Sequence, residues 1–389
     1  MTIIEPFLVG ASEQQREIVE LARAFATNEL APHGADWDRD KHYPEAVMRQ
    51  LAEMGFFGLR IPEAYDGLGL DTLTYLRVLE ELAAADAATS ITLSVHNSLP
   101  VSMLLRHGSE AQRDRWLRPM ARGEVLAAFS LSESDAGSDA SRIRAQAVRD
   151  GDAWVLNGEK AWVTNGDTAQ LLVTMVRTDT PDARRGRRGI SAFLVPADTP
   201  GVKPGKPEDK MGLRASRTTI VTLHDVRLTD EHLLGKEGEG YRYALRALEN
   251  GRMGVASQAI GIARAALGHA VRYTEERQQF EKPLKDFQAI QFKLADMLTR
   301  ITAARALLVD AARALDAGER VTERASMAKL FASETAMWVT DQAVQIFGGY
   351  GYMRDYPVER LFRDAKVTEI YEGTSEIQRI VIARGLHSQ

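Results

Sequence analysis

The sequence predicts a mainly α protein with a β domain. It reads as an N-terminal helical domain (residues 1–122), a middle antiparallel, β-barrel-like domain (123–239) and a C-terminal four-helix bundle (240–389). Three observations carry this reading. Helical apolar periodicity dominates the first third, short alternating runs replace it near Gly123, and the helical period returns beyond Gly240. At 389 residues the chain also exceeds the size at which one hydrophobic core stops growing.

Ser12 followed by Gln15 fits a capping box, and Ile18, Leu21, Ala22 and Phe25 then share a helical face until Pro32. Pro44 opens a second helix, with Val47, Leu51 and Met54 inside and Gly55 past its end. Similar periodicity runs from Thr72 to Ala85 and from Ser90 to Arg106. In the middle third the expected strands are Val125 to Leu131, Ala153 to Leu156, Lys160 to Val163, Leu171 to Val176, Ile190 to Val195 and Thr219 to Val226. Asn157-Gly158 is the dipeptide of a two-residue hairpin turn between two of them. Further on, Ile290, Leu294, Met297, Ile301, Ala304, Leu308, Ala311 and Leu315 recur at alternating spacings of four and three, the seam of a helix packed among near-parallel neighbours.

Composition excludes several functions. Hydrophobic residues make up 44% and charged residues 26%, the balance of a folded globular chain. With 49 Lys and Arg against 54 Asp and Glu, the net charge of -5 gives no general attraction to nucleic acid. Cysteine is absent, which removes disulfides, thiolate nucleophiles and zinc–thiolate sites. The eight histidines make no ligand spacing, so no metal site is expected. No apolar run is long enough for a membrane span, and the start MTIIEPFLVGASEQQ reads as cytoplasmic. There is no G-x-G-x-x-G, Walker loop, G-x-S-x-G or H-E-x-x-H, which disfavours a nicotinamide-binding unit.

Three clusters remain. Phe129 to Ser138 leaves a strand and enters a loop dense in hydroxyl and backbone-exposing residues, which can grip a flat polar ring or simply form a surface turn. Trp162 and Thr164 flank Val163 and are read as an indole and a hydroxyl on opposite faces of one strand; alone, such a Trp is more often core. Glu372 precedes Gly373, which favours a bend, and Thr374, a helix N-cap; alone, it reads as a solvated or capping glutamate.

Taken together, and in this order, the segments resemble the acyl-CoA dehydrogenase family from about residue 12 to 386. The matching stretches are Pro62 to Gly69, Ala136 to Asp139, Trp162 to Gly166, Glu276 to Phe280, Gln345 to Gly349 and Tyr371 to Thr374. The resemblance implies a helical domain, a β domain and a helical bundle, with FAD between the last two. It also implies a homotetramer built as a dimer of dimers, an acyl-CoA substrate and an electron-transfer flavoprotein as acceptor.

Residue by residue, the resemblance places Phe129, Leu131, Ser132 and Ser138 at the flavin, with Trp162 and Thr164 on its other side. Arg277, Phe280 and Gln288, with Gln345, Ile346, Gly348 and Gly349, would hold the pyrophosphate and adenosine of a flavin shared across subunits. Thr374 and Glu376 would complete the FAD contacts. Ser138, Glu249, Arg252, Tyr371 and Gly373 fall where members hold the CoA thioester, although Arg252 alone also reads as a helix-surface arginine.

Glu372 falls at the base that takes the α proton. Burial would raise its pKa toward useful basicity, and its own N–H can donate to the developing enolate oxygen. Hydride from the β carbon would pass to flavin N5, giving a trans-2-enoyl thioester. Members that carry the base on a bundle helix do so at the position of Gly251, which cannot serve, so the chain looks like the straight-chain short- to medium-chain members.

Ser134, Glu249-Asn250 and Glu281 depart from the family's usual proline, Asp-Met pair and glycine. The basic run Arg184, Arg185, Arg187 and Arg188 reads as a solvated loop tip or an acceptor-docking patch. Two other readings stay open. One is an oxidase of the same fold, such as an acyl-CoA or nitroalkane oxidase, which would make hydrogen peroxide in air. The other is a flavin-carrying, DNA-associated protein, against which the net charge argues.

Overall fold

A computed structural model describes residues 11–178 and 189–386. The Arg184 to Arg188 run lies outside them.

The first third is helical: α1 (Glu13–Phe25), α2 (Gly34–Asp40), α3 (Glu45–Glu53), α4 (Thr72–Ala85), α5 (Ala87–Ser98), α6 (Pro100–His107) and α7 (Glu110–Ala121). The capping box at Ser12 is formed in both directions, Gln15 N–H to Ser12 Oγ at 3.2 Å and Ser12 N–H to Gln15 Oε1 at 2.8 Å. The buried stripe of α1 is Val19, Ala22 and Phe25, whereas Leu21 points outward. The single period expected from Ser90 to Arg106 is two helices. Pro100 begins α6 at its first turn, where a missing N–H costs nothing, and so cannot continue α5.

Eight strands follow among the described residues: β1 (Ala127–Ser130), β2 (Gln146–Asp150), β3 (Ala153–Thr164), β4 (Leu171–Arg177), β5 (Ile190–Pro196), β6 (Val202–Pro204), β7 (Thr218–Leu228) and β8 (Leu233–Leu234). Their order is β6-β7-β3-β2-β4-β5-β8, with β1 also paired to β4. The sheet is therefore open and not a closed barrel. It is also not purely antiparallel, because β1 and β2 both run parallel to β4.

Asn157-Gly158 is not a hairpin turn. It sits inside the continuous β3 as a register shift against β7, with Asn157 exchanging hydrogen bonds with Asp225 at 2.9 and 3.0 Å. The β2–β3 connection is made instead at Gly151, φ +64.

The last third is α8 (Gly240–Glu276), α9 (Gln288–Asp316), α10 (Thr322–Phe347), α11 (Pro357–Lys366) and α12 (Ser375–Gly385). Three long helices form the bundle and two short ones close it. Met297, Ile301, Ala304, Leu308 and Ala311 of the α9 seam are buried, as its period requires. Among the described residues no helix is long and apolar enough to cross a membrane.

Candidate active site

The loop between α11 and α12 carries Glu372 in left-handed conformation, φ +53, followed by Gly373 at φ +95. A non-glycine residue there is strained, and the surroundings hold it in place. Thr374 caps α12, its Oγ1 accepting from Ile377 N–H at 3.3 Å. The Gly373 carbonyl accepts from Lys329 Nζ and from Gln378 Nε2, both at 2.8 Å. The backbone N–H of Glu372 has no acceptor among the described residues.

Both carboxylate oxygens of Glu372 are shut off from water, and neither has a hydrogen-bond partner. Burial pushes the group up to about 7, while the charges of Lys329 and Arg252 pull the other way. Lys329 is itself buried and pushed down to about 8 by desolvation, with Glu372 opposing that shift. The reading of Glu372 as a solvated or capping glutamate is thereby excluded.

Gly251, in the middle of α8, explains the fit. A Cβ at that position would collide with Glu372 Oε2 and lie 2.6 Å from its Cδ. The helix accepts the cost of an interior glycine, about 1 kcal/mol relative to alanine, and in exchange the carboxylate packs against its backbone. One turn on, a Cβ at Gly254 would strike Ser94 Oγ of α5, so the same stripe brings α5 against α8.

Arg252 is buried, not a helix-surface arginine; it donates to Ser326 Oγ at 3.2 Å and leaves its Nε without a partner. Glu249 accepts from Thr322 Oγ1. The Tyr371 hydroxyl donates to Gln258 Oε1, and Gln258 Nε2 donates to the Ala87 carbonyl at 2.8 Å. Glu249, Arg252, Tyr371, Glu372 and Gly373 thus converge where α8, α10 and the α11–α12 loop meet, with Glu376 exposed on the first turn of α12.

The middle domain gathers a second group. Phe129 is half-buried on β1, Leu131 is buried, and Ser132 follows, its carbonyl accepting from Ala161 N–H of β3 at 2.9 Å. Trp162 is 63% exposed at φ +60, Val163 is buried and Thr164 is half-buried. Trp162 lies within a register shift of β3 against β7, between Lys160 and Val163, so the regular alternation behind the expectation of opposite faces is interrupted there. Ser138 is exposed on the loop. Just past β3, Asn165 Nδ2 donates to Thr92 of α5 at 3.4 Å, which ties this surface to the helix packed on Gly254.

A third group stays away from both. Arg277 ends α8, about seven turns or roughly 39 Å from Gly251. Phe280 is 87% exposed, and Gln288, Gln345, Gly348 and Gly349 are exposed as well, whereas the Ile346 side chain is buried. Phe280 and Glu281, at φ +52 and +65, form the two-residue turn joining Gln278–Gln279 to Lys282–Pro283. The positive φ of Glu281 would suit a glycine, and nothing in the structure explains the glutamate there.

Sequence reading missed Lys329, Gln378 and the buried pair Lys160–Glu133. Lys160 Nζ donates to Glu133 Oε1 at 2.8 Å and to the Leu131 carbonyl at 3.0 Å, while Glu133 accepts from the Arg144 and Ala145 N–H groups. This clamp holds the loop after β1. The available signal was a lysine on the small-residue stripe Ala325, Ala328, Ala332 of α10, where a long charged side chain must have a buried task.

A buried, unpaired carboxylate, backbone donors beside it and an exposed indole on the adjoining sheet define an acid–base site next to a surface for a flat ring. Comparison with known proteins agrees. The models of the acyl-CoA dehydrogenase N-terminal, middle and C-terminal domains match residues 12–124, 128–226 and 238–387. The 3-(aryl)acrylate reductase of Clostridium sporogenes is 42% identical over 96% of this chain and 99% of its own. The mitochondrial short-chain specific acyl-CoA dehydrogenase of Mus musculus is 46% identical over 96% of this chain and 90% of its own. A chain from the structure of the electron transferring flavoprotein of Acidaminococcus fermentans matches with TM-score 0.95 and 45% identity, covering 98% of this chain and 99% of that one.

The chain belongs to the acyl-CoA dehydrogenase family, FAD-binding flavoproteins that act as oxidoreductases on CH–CH groups. Its residues fit that cofactor. Trp162 offers a large exposed aromatic face at the end of a strand whose loop partner is clamped by Lys160, where an uncovered indole would otherwise waste apolar surface.

Proposed function

We propose that this protein desaturates a short, straight-chain acyl-CoA to the trans-2-enoyl-CoA, with Glu372 removing the α proton. The observation that carries this reading is the Glu372 carboxylate: buried, unpartnered and pushed up to about 7, so that it is ionised yet basic near neutrality. FAD, when bound, supplies the acceptor for the β hydrogen. The free N–H of Glu372 is placed to donate to the thioester oxygen as negative charge develops there. Lys329 and Gln378 hold the loop so that carboxylate and N–H keep a fixed relation. Arg252, Glu249 and Ser138 are assigned to the CoA portion, and Phe129, Leu131, Ser132, Trp162 and Thr164 to the flavin ring.

Short chains are favoured by the closed seam around the base. Tyr371 and Gln258 are tied to each other and to α5, and Ser94 abuts Gly254. The short-chain relative supports the same choice. Arg277 is too distant along α8 from Gly251 to touch a flavin beside Glu372, so we assign it, with Phe280, Gln288, Gln345, Gly348 and Gly349, to the flavin of a neighbouring subunit in a homotetramer. Likeness to a chain from an electron transferring flavoprotein structure supports such a flavoprotein as acceptor.

The reductase relative favours a second reading, in which the same groups run the reaction toward the saturated product. One experiment addresses both. The oxidised protein is titrated anaerobically with butanoyl-, octanoyl- and isovaleryl-CoA, and the reduced protein with the enoyl-CoA, while flavin absorbance is followed. Bleaching by butanoyl-CoA at far lower concentration than by the others is expected. No bleaching by any acyl-CoA would defeat the proposal, and rapid peroxide formation in air would point to an oxidase.

A further inference from the structure

A separate cleft of about 170 Å³ opens where the N-terminus of α4 meets α6, α8 and the C-terminus of α9. It is not the catalytic site. Its α8 walls are Asn250 and Met253, and Asn250 projects about 100° around the helix from Gly251, the residue that touches Glu372.

Its polar wall is cationic and under-used. Arg60 makes one hydrogen bond, from Nη1 to the Leu70 carbonyl at 2.7 Å, and its guanidinium lies 5.8 Å from the Tyr75 ring centre. Arg106, at the mouth, makes no hydrogen bond or ion pair with any described residue. Burial disfavours the charge on both; at Arg106 the charges of Arg246 and Arg60 oppose it further while Glu249 favours it, and at Arg60 Asp316, Tyr75 and Asp71 favour it. The Thr72 hydroxyl is buried on the same wall without a partner. Asp316 favours the charge on Arg60 without pairing with it: both its oxygens accept from Thr72 N–H at 3.0 Å, and no ion pair joins it to either arginine. An anion seated between the Arg60 guanidinium, which makes a single hydrogen bond, and Arg106 at the mouth would supply charge-assisted bonds that neither now has. Opposite them the wall is apolar, formed by Leu76, Val101 and Met253.

We propose that this cleft is a second small-molecule site, for a short aliphatic carboxylate whose head lies between Arg60 and Arg106 and whose chain lies on Leu76, Val101 and Met253. The apolar wall selects a carboxylate with a tail over a bare oxyanion, and the forked guanidinium groups select an anion over its amide.

Isothermal titration of the FAD-loaded protein with hexanoate, hexanamide and inorganic phosphate tests this, in wild type, Arg106→Gln and Arg60→Gln. Arg106 is exposed, so its variant should melt with the wild type, and it carries the test if Arg60→Gln does not fold. Saturable binding of one hexanoate per chain is expected, weakened at least about tenfold in Arg106→Gln and at least about tenfold for hexanamide. Absence of saturable binding in the millimolar range overturns the site. So does hexanoate affinity unchanged by Arg106→Gln, which would place the acid elsewhere, such as in the acyl pocket. Phosphate binding as tightly as hexanoate overturns the choice of ligand.

Discussion

Two buried carboxylates in this molecule are treated in opposite ways. Glu80 of α4 accepts from Arg305 of α9 and lies 3.5 Å from Arg264 of α8, while its neighbour Glu81 takes two bonds from Arg264, at 2.9 and 2.7 Å. Burial alone would raise Glu80, but the two arginines outweigh it and hold the group below the usual carboxylate range. The Glu372 carboxylate has equally little water and no hydrogen bond to either oxygen, and burial wins. The first arrangement fastens three helices; the second keeps a carboxylate poised to take a proton. Which of the two a buried acid becomes depends on the partners placed around it, and those partners come from distant parts of the chain.

The largest expected effect separates the two sites directly. Glu372→Gln should slow flavin reduction by acyl-CoA by about a thousandfold or more in anaerobic stopped flow, with FAD content unchanged. The same variant should be more stable than wild type at pH 8. Because the folded-state pKa of about 7 lies above the ordinary 4.5, folding favours the protonated acid. That contribution is fully present below about 4.5 and is lost as pH rises through about 7, a swing of at most about 3 kcal/mol. Denaturant melts of both proteins at pH 5 and pH 8 check the sign. A variant destabilised at pH 8 would show that Glu372 is paired in solution.

Glu80→Gln should behave in the reverse way. It removes the buried carboxylate that Arg305 donates to, while Arg264 keeps its two bonds to Glu81, and should cost about 3–5 kcal/mol of stability. Any folded protein should nevertheless reduce its flavin at close to the normal rate. Loss of activity without loss of stability would erase the distinction between the two carboxylates.

Much of the frame for this contrast can be read from sequence, and the decisive part cannot. Local chemistry made the capping box at Ser12 legible, as it did the helix from Thr72 to Ala85 and the cap at Thr374, because each depends on residues within a few positions. Asn157-Gly158 misled for the opposite reason. Its turn propensity yields to a pairing with Asp225 sixty-eight residues away. Glu372 stood out through its neighbours in the chain, but its burial follows from Gly251, its loop from Lys329, and its seam from Gln258 and Ala87. None of these is near in sequence.

Gly251→Ala probes the packing side of the comparison. The new Cβ would have to displace the Glu372 carboxylate, since the helix backbone cannot retreat. A shift of about 1 Å in a catalytic group is enough for roughly a hundredfold loss, expected in kcat more than in KM for butanoyl-CoA. Wild-type turnover would mean that the loop moves freely and that its left-handed geometry is not held.

Lys329→Met should have the smallest effect on rate at high pH and the clearest effect on its pH dependence. Four groups bear on the carboxylate: Lys329 from α10, Arg252 from α8, Tyr75 from α4 and Tyr371 from its own loop. Of these only Lys329 and Arg252 favour the charged form, and Lys329 is the stronger. Removing its ammonium leaves burial less opposed, so the base should become harder to ionise and the midpoint of flavin reduction against pH should move upward from about 7. The Gly373 carbonyl keeps its bond from Gln378, so the loop should stay in place and the alkaline plateau should survive. A lowered plateau with an unmoved midpoint would make Lys329 a structural support alone. A midpoint that moves downward would mean that water enters beside the carboxylate in the variant and outweighs the lost charge.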